Sequence, residues 1–111
     1  MFDPHAAYSK VEQLIYSDQN EAAHEALIDL IGKDDQFTLA YLALSRVCTK
    51  LGRHLEAVEY GQKACQLEPS DPFNFSALSV TCQRAWAGTQ DRKFIQMAED
   101  AMAQANSLQG R

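Results

Sequence analysis

The sequence predicts an all-α stack of three antiparallel helical hairpins without a sheet, and three observations carry the prediction. No stretch alternates apolar and polar residues at period two between turn signals, so strands lack their main signature. Glycine and proline fall between apolar-periodic runs, and no proline lies inside one. The same punctuation then recurs: Asp3-Pro4 and Asp71-Pro72 stand 68 residues apart, twice 34, the kind of interval that marks stacked helical repeats.

Each predicted helix has a local reason. The first, over 4–17, opens at Asp3, whose carboxylate can accept from first-turn N–H groups, with Pro4 where a missing donor costs nothing. The second covers 21–31 and is expected to stop at Gly32. The third, 38–51, stops at Gly52, a residue free to take the left-handed conformation that closes a helix. The fourth, 54–67, is closed by Pro69, which cannot continue a helical ladder. The fifth, 72–87, repeats the Asp-Pro opening and is expected to stop at Gly88; the sixth runs over 91–108. The repeats are then about 4–37, 38–71 and 72–111, with an insertion near 86–93, in a single domain over 1–111.

Composition narrows the function classes. At 46% hydrophobic and 23% charged, the 111 residues can build a core, which excludes a disordered tail or a charged linker. Runs such as Phe37 to Ser45 fall short of the roughly 18 apolar residues that span a bilayer, and the Met-Phe-Asp-Pro start lacks a basic-then-apolar signal region. The cytoplasm is the expected compartment. Cys48, Cys65 and Cys82 are an odd set with no Cys-x-x-Cys pair, so reduced thiols are expected and a disulfide framework or structural zinc site is not. A net charge of −5 argues against nucleic acid or an anionic membrane as partner. The acids are concentrated: residues 1–37 hold eight against two bases, while residues 38–71 balance and residues 72–111 carry +1.

Shifting the sequence by 34 superposes Tyr41 on Phe75, Leu44 on Leu78, Ser45 on Ser79 and Cys48 on Cys82, and Ala23 on Ala57. With Gly61, Pro69 and the Gly52 turn, the middle segment Thr38 to Asp71 resembles a tetratricopeptide repeat, and the chain resembles a three-repeat member of that family. Cys48, Cys82 and Gly61 depart from the family pattern by replacing aromatics, and Lys10 and Asp35 break it in the first repeat. In the third repeat the second helix fits after about seven inserted residues, two helical turns, which places Ala98 and Met102 at the positions of Ala57 and Gly61. The resemblance implies a right-handed superhelical stack, an α-solenoid, acting as a non-enzymatic protein-protein interaction module or scaffold that binds a partner peptide in a concave groove. It also implies that one family subtype is absent: positions matching a Lys/Asn/Arg carboxylate clamp hold Tyr8, Glu12, Ala43, Phe73 and Ala77.

The third helix is apolar on nearly every side, so two of its faces should be covered. Tyr41, Leu44, Cys48 and Leu51 form one stripe; Leu39, Leu42, Ala43, Arg46 and Lys50 form a second, which the resemblance assigns to the groove. The shift of 34 extends this stripe into rows: His5, Leu39 and Phe73; Tyr8, Leu42 and Ser76; Ser9, Ala43 and Ala77; Glu12, Arg46 and Val80; Tyr16, Lys50 and Arg84. One end is apolar and aromatic and the other carries three bases, which suits a ligand with apolar side chains and acidic flanks. The expected partner-binding residues are Tyr8, Glu12, Leu39, Leu42, Arg46, Lys50, Phe73, Val80 and Arg84.

Two alternatives come from other classes. The last helix carries Phe94, Met97, Ala101, Met102 and Leu108 on an apolar arc wider than one stripe, which would suit a homodimeric scaffold. An enzyme needs a nucleophile, a base and a stabiliser converging on one pocket. His5, His24 and His54 fall on separate predicted helices and no glycine-rich phosphate loop occurs, so no catalytic, metal or cofactor residues are expected. Asn74-Phe75-Ser76 matches a glycosylation acceptor, but its place inside a predicted helix argues against that use.

Overall fold

A computed structural model describes residues 1–110. Six helices account for 81% of it, with no strand among the described residues. They are α1 (Pro4–Tyr16), α2 (Asn20–Lys33), α3 (Thr38–Lys50), α4 (His54–Leu67), α5 (Pro72–Thr89) and α6 (Lys93–Gln109). Each packs on the next, and α3 also meets α5, so the pairs α1/α2, α3/α4 and α5/α6 are successive hairpins. None of these helices is long and apolar enough to cross a membrane.

Both Asp-Pro openings act as caps. Asp3 accepts from the His5 and Ala6 N–H groups at 3.1 and 3.4 Å, and Asp71 from the Phe73 N–H at 3.0 Å. Gly52 takes the left-handed conformation, φ 78°, as its position required. Gly32 and Gly88 do not end their helices. The helix α2 runs through Gly32 to Lys33, and α5 runs through Gly88 to Thr89 before Gln90 turns left-handed at φ 61°. What Gly88 provides is room. A Cβ there would overlap the His54 imidazole, reaching Cδ2 at 2.7 Å and Cε1 at 2.8 Å.

The repeat register is visible as a repeated hydrogen bond. Ser45 Oγ donates to the Ala57 carbonyl at 2.9 Å, and Ser79 Oγ donates to the Ala98 carbonyl at 2.9 Å. The donors are 34 residues apart and the acceptors 41, which is the period plus seven. The seven extra residues are absorbed largely as helix: α5 and α6 have 18 and 17 residues against 13 and 14 in α3 and α4. Ala57 is fully buried and Ala98 nearly so, and each faces a serine because a larger side chain would hold the axes apart.

The core has two centres. Val11, Leu27, Leu30, Leu44 and Val47 join the first two hairpins, and Val58, Leu78, Cys82, Ala85 and Phe94 join the second and third. Phe94 and Ala101, expected on a self-association face, are instead buried against this second centre, at 2% and 5% exposure. The physical reason is the lengthening of α5, which lets it cover most of the wide arc of α6. Met97 and Leu108 are half-buried, and of the five residues Met102 alone is exposed.

Candidate functional site

The helices α3 and α5 are equivalent members of adjacent hairpins, and between them lies a cleft of about 510 Å³. Its walls include Leu42, Arg46 and Lys50 from α3 and Phe73, Val80 and Arg84 from α5, so six of the expected groove residues share one depression. The floor was not anticipated as a site: Ser45, Leu78 and Thr81 lie beneath, with Gly61 of α4 between them. Ser45 and Thr81 oxygens are 3.0 Å apart, and each hydroxyl also reaches a backbone carbonyl, so the buried polar groups are satisfied. Gly61 eases this closeness: a Cβ there would stand 3.0 Å from Leu78 Cδ1 and 3.4 Å from Ser45 Oγ, and these side chains would have to give by a few tenths of an ångström.

A second depression of about 300 Å³ continues the first through shared Leu42 and Phe73. His5, Phe37 and Leu39 join it, so the first repeat-related row, His5 with Leu39 and Phe73, converges on one place. Phe73 is 63% exposed, Val80 45% and Leu39 42%, a concentration of large apolar side chains that folding leaves uncovered. Glu68 and Asp71 also line this end, but both carboxylates are engaged, Glu68 by the Thr38 hydroxyl at 2.8 Å and Asp71 by the Phe73 N–H.

Among the described residues, none that lines the main cleft is acidic. Arg46, Lys50 and Arg84 are exposed at its rim, and among the described residues none of the three forms an ion pair. They are a local positive field on a chain of net charge −5.

Three sequence expectations fall elsewhere. Tyr8 lies outside the main cleft, edge-on to Phe37 with ring centroids 5.8 Å apart. Burial pushes its phenol above the ordinary range, against the lowering pull of the neighbouring Arg46 guanidinium. Glu12 is exposed and lines none of these depressions. The cause is shared: α1 meets α3 over less of its length than α5 does, so of the rows only that of His5 reaches from α1 into these depressions. Ala43, read as part of the groove stripe, is fully buried. Asn74 is 1% exposed and donates to the Ala64 and Glu68 carbonyls at 3.4 and 3.1 Å, which closes the α4 terminus and leaves no amide for glycosylation.

A third depression of about 400 Å³ sits on the outer side of the last hairpin, lined by Trp86, Ile95 and Met102 among others. The thiols of Cys48, Cys65 and Cys82 are all buried, which pushes each up to about 11 and keeps it protonated at neutral pH.

No protein-family model matches the chain. No curated protein matches it. Solved structures do. Two crystal structures of MamA superpose with TM-scores of 0.81 and 0.80 at 20% identity, over 97% of this chain. They are longer, and the match spans 59% and 55% of their lengths. The type III secretion translocator chaperone SycD of Yersinia enterocolitica, crystallised as an alternative dimer, superposes with a TM-score of 0.63 at 12% identity, over 96% of this chain and 91% of its own. The fold is therefore a tetratricopeptide-like stack of helical hairpins.

Proposed function

We propose that the chain is a non-enzymatic protein-binding module whose α3/α5 cleft takes a peptide segment of a partner, with apolar side chains at the Phe73 and Leu39 end and acidic ones at the Lys50 and Arg84 end. The observation that carries this reading is the cleft itself: three cations that, among the described residues, form no ion pair and meet no lining acid, beside a row of exposed apolar side chains. Apolar anchors buried in such a cleft supply most of the affinity, while rim charges set the encounter rate and select against wrong partners. The likeness to a secretion chaperone supports a protein ligand in general terms. Self-association through α6 is less well supported, because Phe94 and Ala101 are already committed to the core.

The test is selection from a random peptide library, followed by binding of the selected peptides to folded Leu42→Glu and Lys50→Glu variants. Selected peptides should carry apolar anchors next to Asp or Glu. Leu42→Glu places a carboxylate in the apolar wall and should weaken binding at every salt concentration. Lys50→Glu should weaken it chiefly at low ionic strength, because exposed charges are screened over about 8 Å at physiological salt. Binding of both variants at the wild-type level would refute the cleft as the docking surface.

A further inference from the structure

On a part of the molecule that shares no lining residue with the cleft, α2, α3 and α4 bring His24, Cys48 and Glu56 together. One ligand atom from each, an imidazole nitrogen, the Cys48 Sγ and a carboxylate oxygen, lie within 4.8 Å of one another. The His24 Nε2 atom is buried without a hydrogen-bond partner and stands 3.9 Å from Glu56 Oε2, too far for a hydrogen bond. A buried imidazole nitrogen left unbonded is unfavourable, and a lone pair held beside a thiol and a carboxylate can be satisfied by a metal ion.

We propose that His24, Cys48 and Glu56 bind a divalent transition-metal ion of the zinc class, tying the first hairpin to the second.

The donor set selects the ion. One nitrogen, one sulfur and one oxygen suit a borderline-soft cation, whereas magnesium and calcium ask for oxygen alone. Tetrahedral bonds of about 2.0–2.3 Å place ligand atoms roughly 3.4–3.7 Å apart, so the cluster must close by about an ångström. Glu56 can supply that movement, because its side chain is 50% exposed while that of His24 is 17% exposed and Cys48 is fully buried. Binding replaces the Cys48 S–H bond with a metal–sulfur bond and releases one proton to solvent. The thiolate and the Glu56 carboxylate then balance the ion's two positive charges, and water completes the fourth position from the exposed side of Glu56. This departs from the sequence expectation of no metal ligands, which rested on local spacing. His24, Cys48 and Glu56 lie on three different helices, and only packing assembles them.

Cobalt(II) is the probe, because a thiolate bound to it gives a charge-transfer band that imidazole and carboxylate alone do not. Wild-type protein, reduced and metal-free, should bind one cobalt ion with that band and lose it on addition of one equivalent of zinc. Cys48→Ser should abolish the band, and Cys65→Ser, altering another buried thiol, should keep it. His24→Gln preserves the thiol and the buried volume, so it stands in if Cys48→Ser does not fold; it should weaken zinc binding at least about tenfold, the scale of loss on disturbing a metal site. Leu42→Glu, in the cleft, should bind zinc as wild type does. Absence of a thiolate band in wild type at saturating cobalt, its persistence in Cys48→Ser, or unchanged zinc affinity in His24→Gln would overturn the proposal.

Discussion

Replacing Gly88 by alanine separates two physical uses of a glycine that look identical in a sequence. If Gly88 closed a helix in the left-handed conformation, a Cβ would be strained whatever its neighbours. In the structure it lies inside α5, and the obstacle is the His54 ring, three of whose atoms would stand within 2.8 Å of the new carbon. The consequence is a thermodynamic cycle whose sign changes with His54. In a His54→Ala background the methyl has room, and Gly88→Ala should stabilise by about 0.5–1 kcal/mol through helix propensity and the restricted unfolded chain. With His54 present the methyl must expel the ring, and overpacking of that kind costs about 1–3 kcal/mol. Against the propensity gain, Gly88→Ala alone should therefore destabilise by up to about 2.5 kcal/mol, with a coupling of about 1–3 kcal/mol. Urea denaturation of the four proteins, followed by circular dichroism, gives these values from the midpoints if the slope is unchanged. A coupling within about 0.5 kcal/mol of zero would refute the close approach, and destabilisation in both backgrounds would restore the capping role.

Two further stability predictions follow from buried polar groups. Asn74→Ala removes both donors that close the α4 terminus and should cost about 1–3 kcal/mol, read from the same urea midpoints; no loss would mean that water satisfies the Ala64 and Glu68 carbonyls equally well. Burial raises the Cys48, Cys65 and Cys82 thiols from 9.0 to about 11, so the folded chain holds protons that the unfolded chain gives up first. Their contribution is fully present below about pH 9 and lost as pH rises toward 11, and the raised phenols of Tyr8, Tyr41 and Tyr60 act in the same direction. A urea midpoint that stays level across that window would contradict the burial of these groups.

What was legible in the sequence was what is local or periodic. Asp3-Pro4 and Asp71-Pro72 are complete start signals within two residues, and both operate as read. The period of 34 placed the hairpins and set Ser45 beside Ser79, which is why the two buried serine bonds could be aligned, insertion included. The same period joined α3 and α5 into one wall, because those helices are related by it and lie against each other. It did not bring Tyr8 and Glu12 to the cleft, although His5 of the same helix reaches the adjoining depression, since equal spacing in sequence does not ensure equal approach in space. The α6 arc was misread for a related reason: its width is plain in the sequence, but how far a lengthened α5 covers it is a matter of packing. His24, Cys48 and Glu56 had no local signature, since each comes from a different helix.

The placement of charge bears on how the proposed cleft could choose a ligand. Eight acids in residues 1–37 give that region −6, whereas Arg46, Lys50 and Arg84 face a cleft lined by no acid. At a distance an approaching molecule meets the net charge of −5, which disfavours long uniform polyanions. Within about a Debye length, roughly 8 Å at physiological salt, the field that matters is that of the three cations. A short acidic segment can enter this range without bringing much negative charge near the first hairpin, and an extended polyanion cannot. The apolar end then discriminates again, because Leu39, Leu42 and Phe73 gain free energy only from a ligand that offers apolar area beside its acids, at roughly 25 cal/mol for each Å² removed from water. Neither half suffices alone. Isolated charge pairs at an exposed rim contribute about 0–1 kcal/mol each, and an apolar strip by itself would take any greasy segment. It is their adjacency along α3 and α5, fixed by the repeat, that makes apolar anchors with acidic neighbours the chemistry this surface fits.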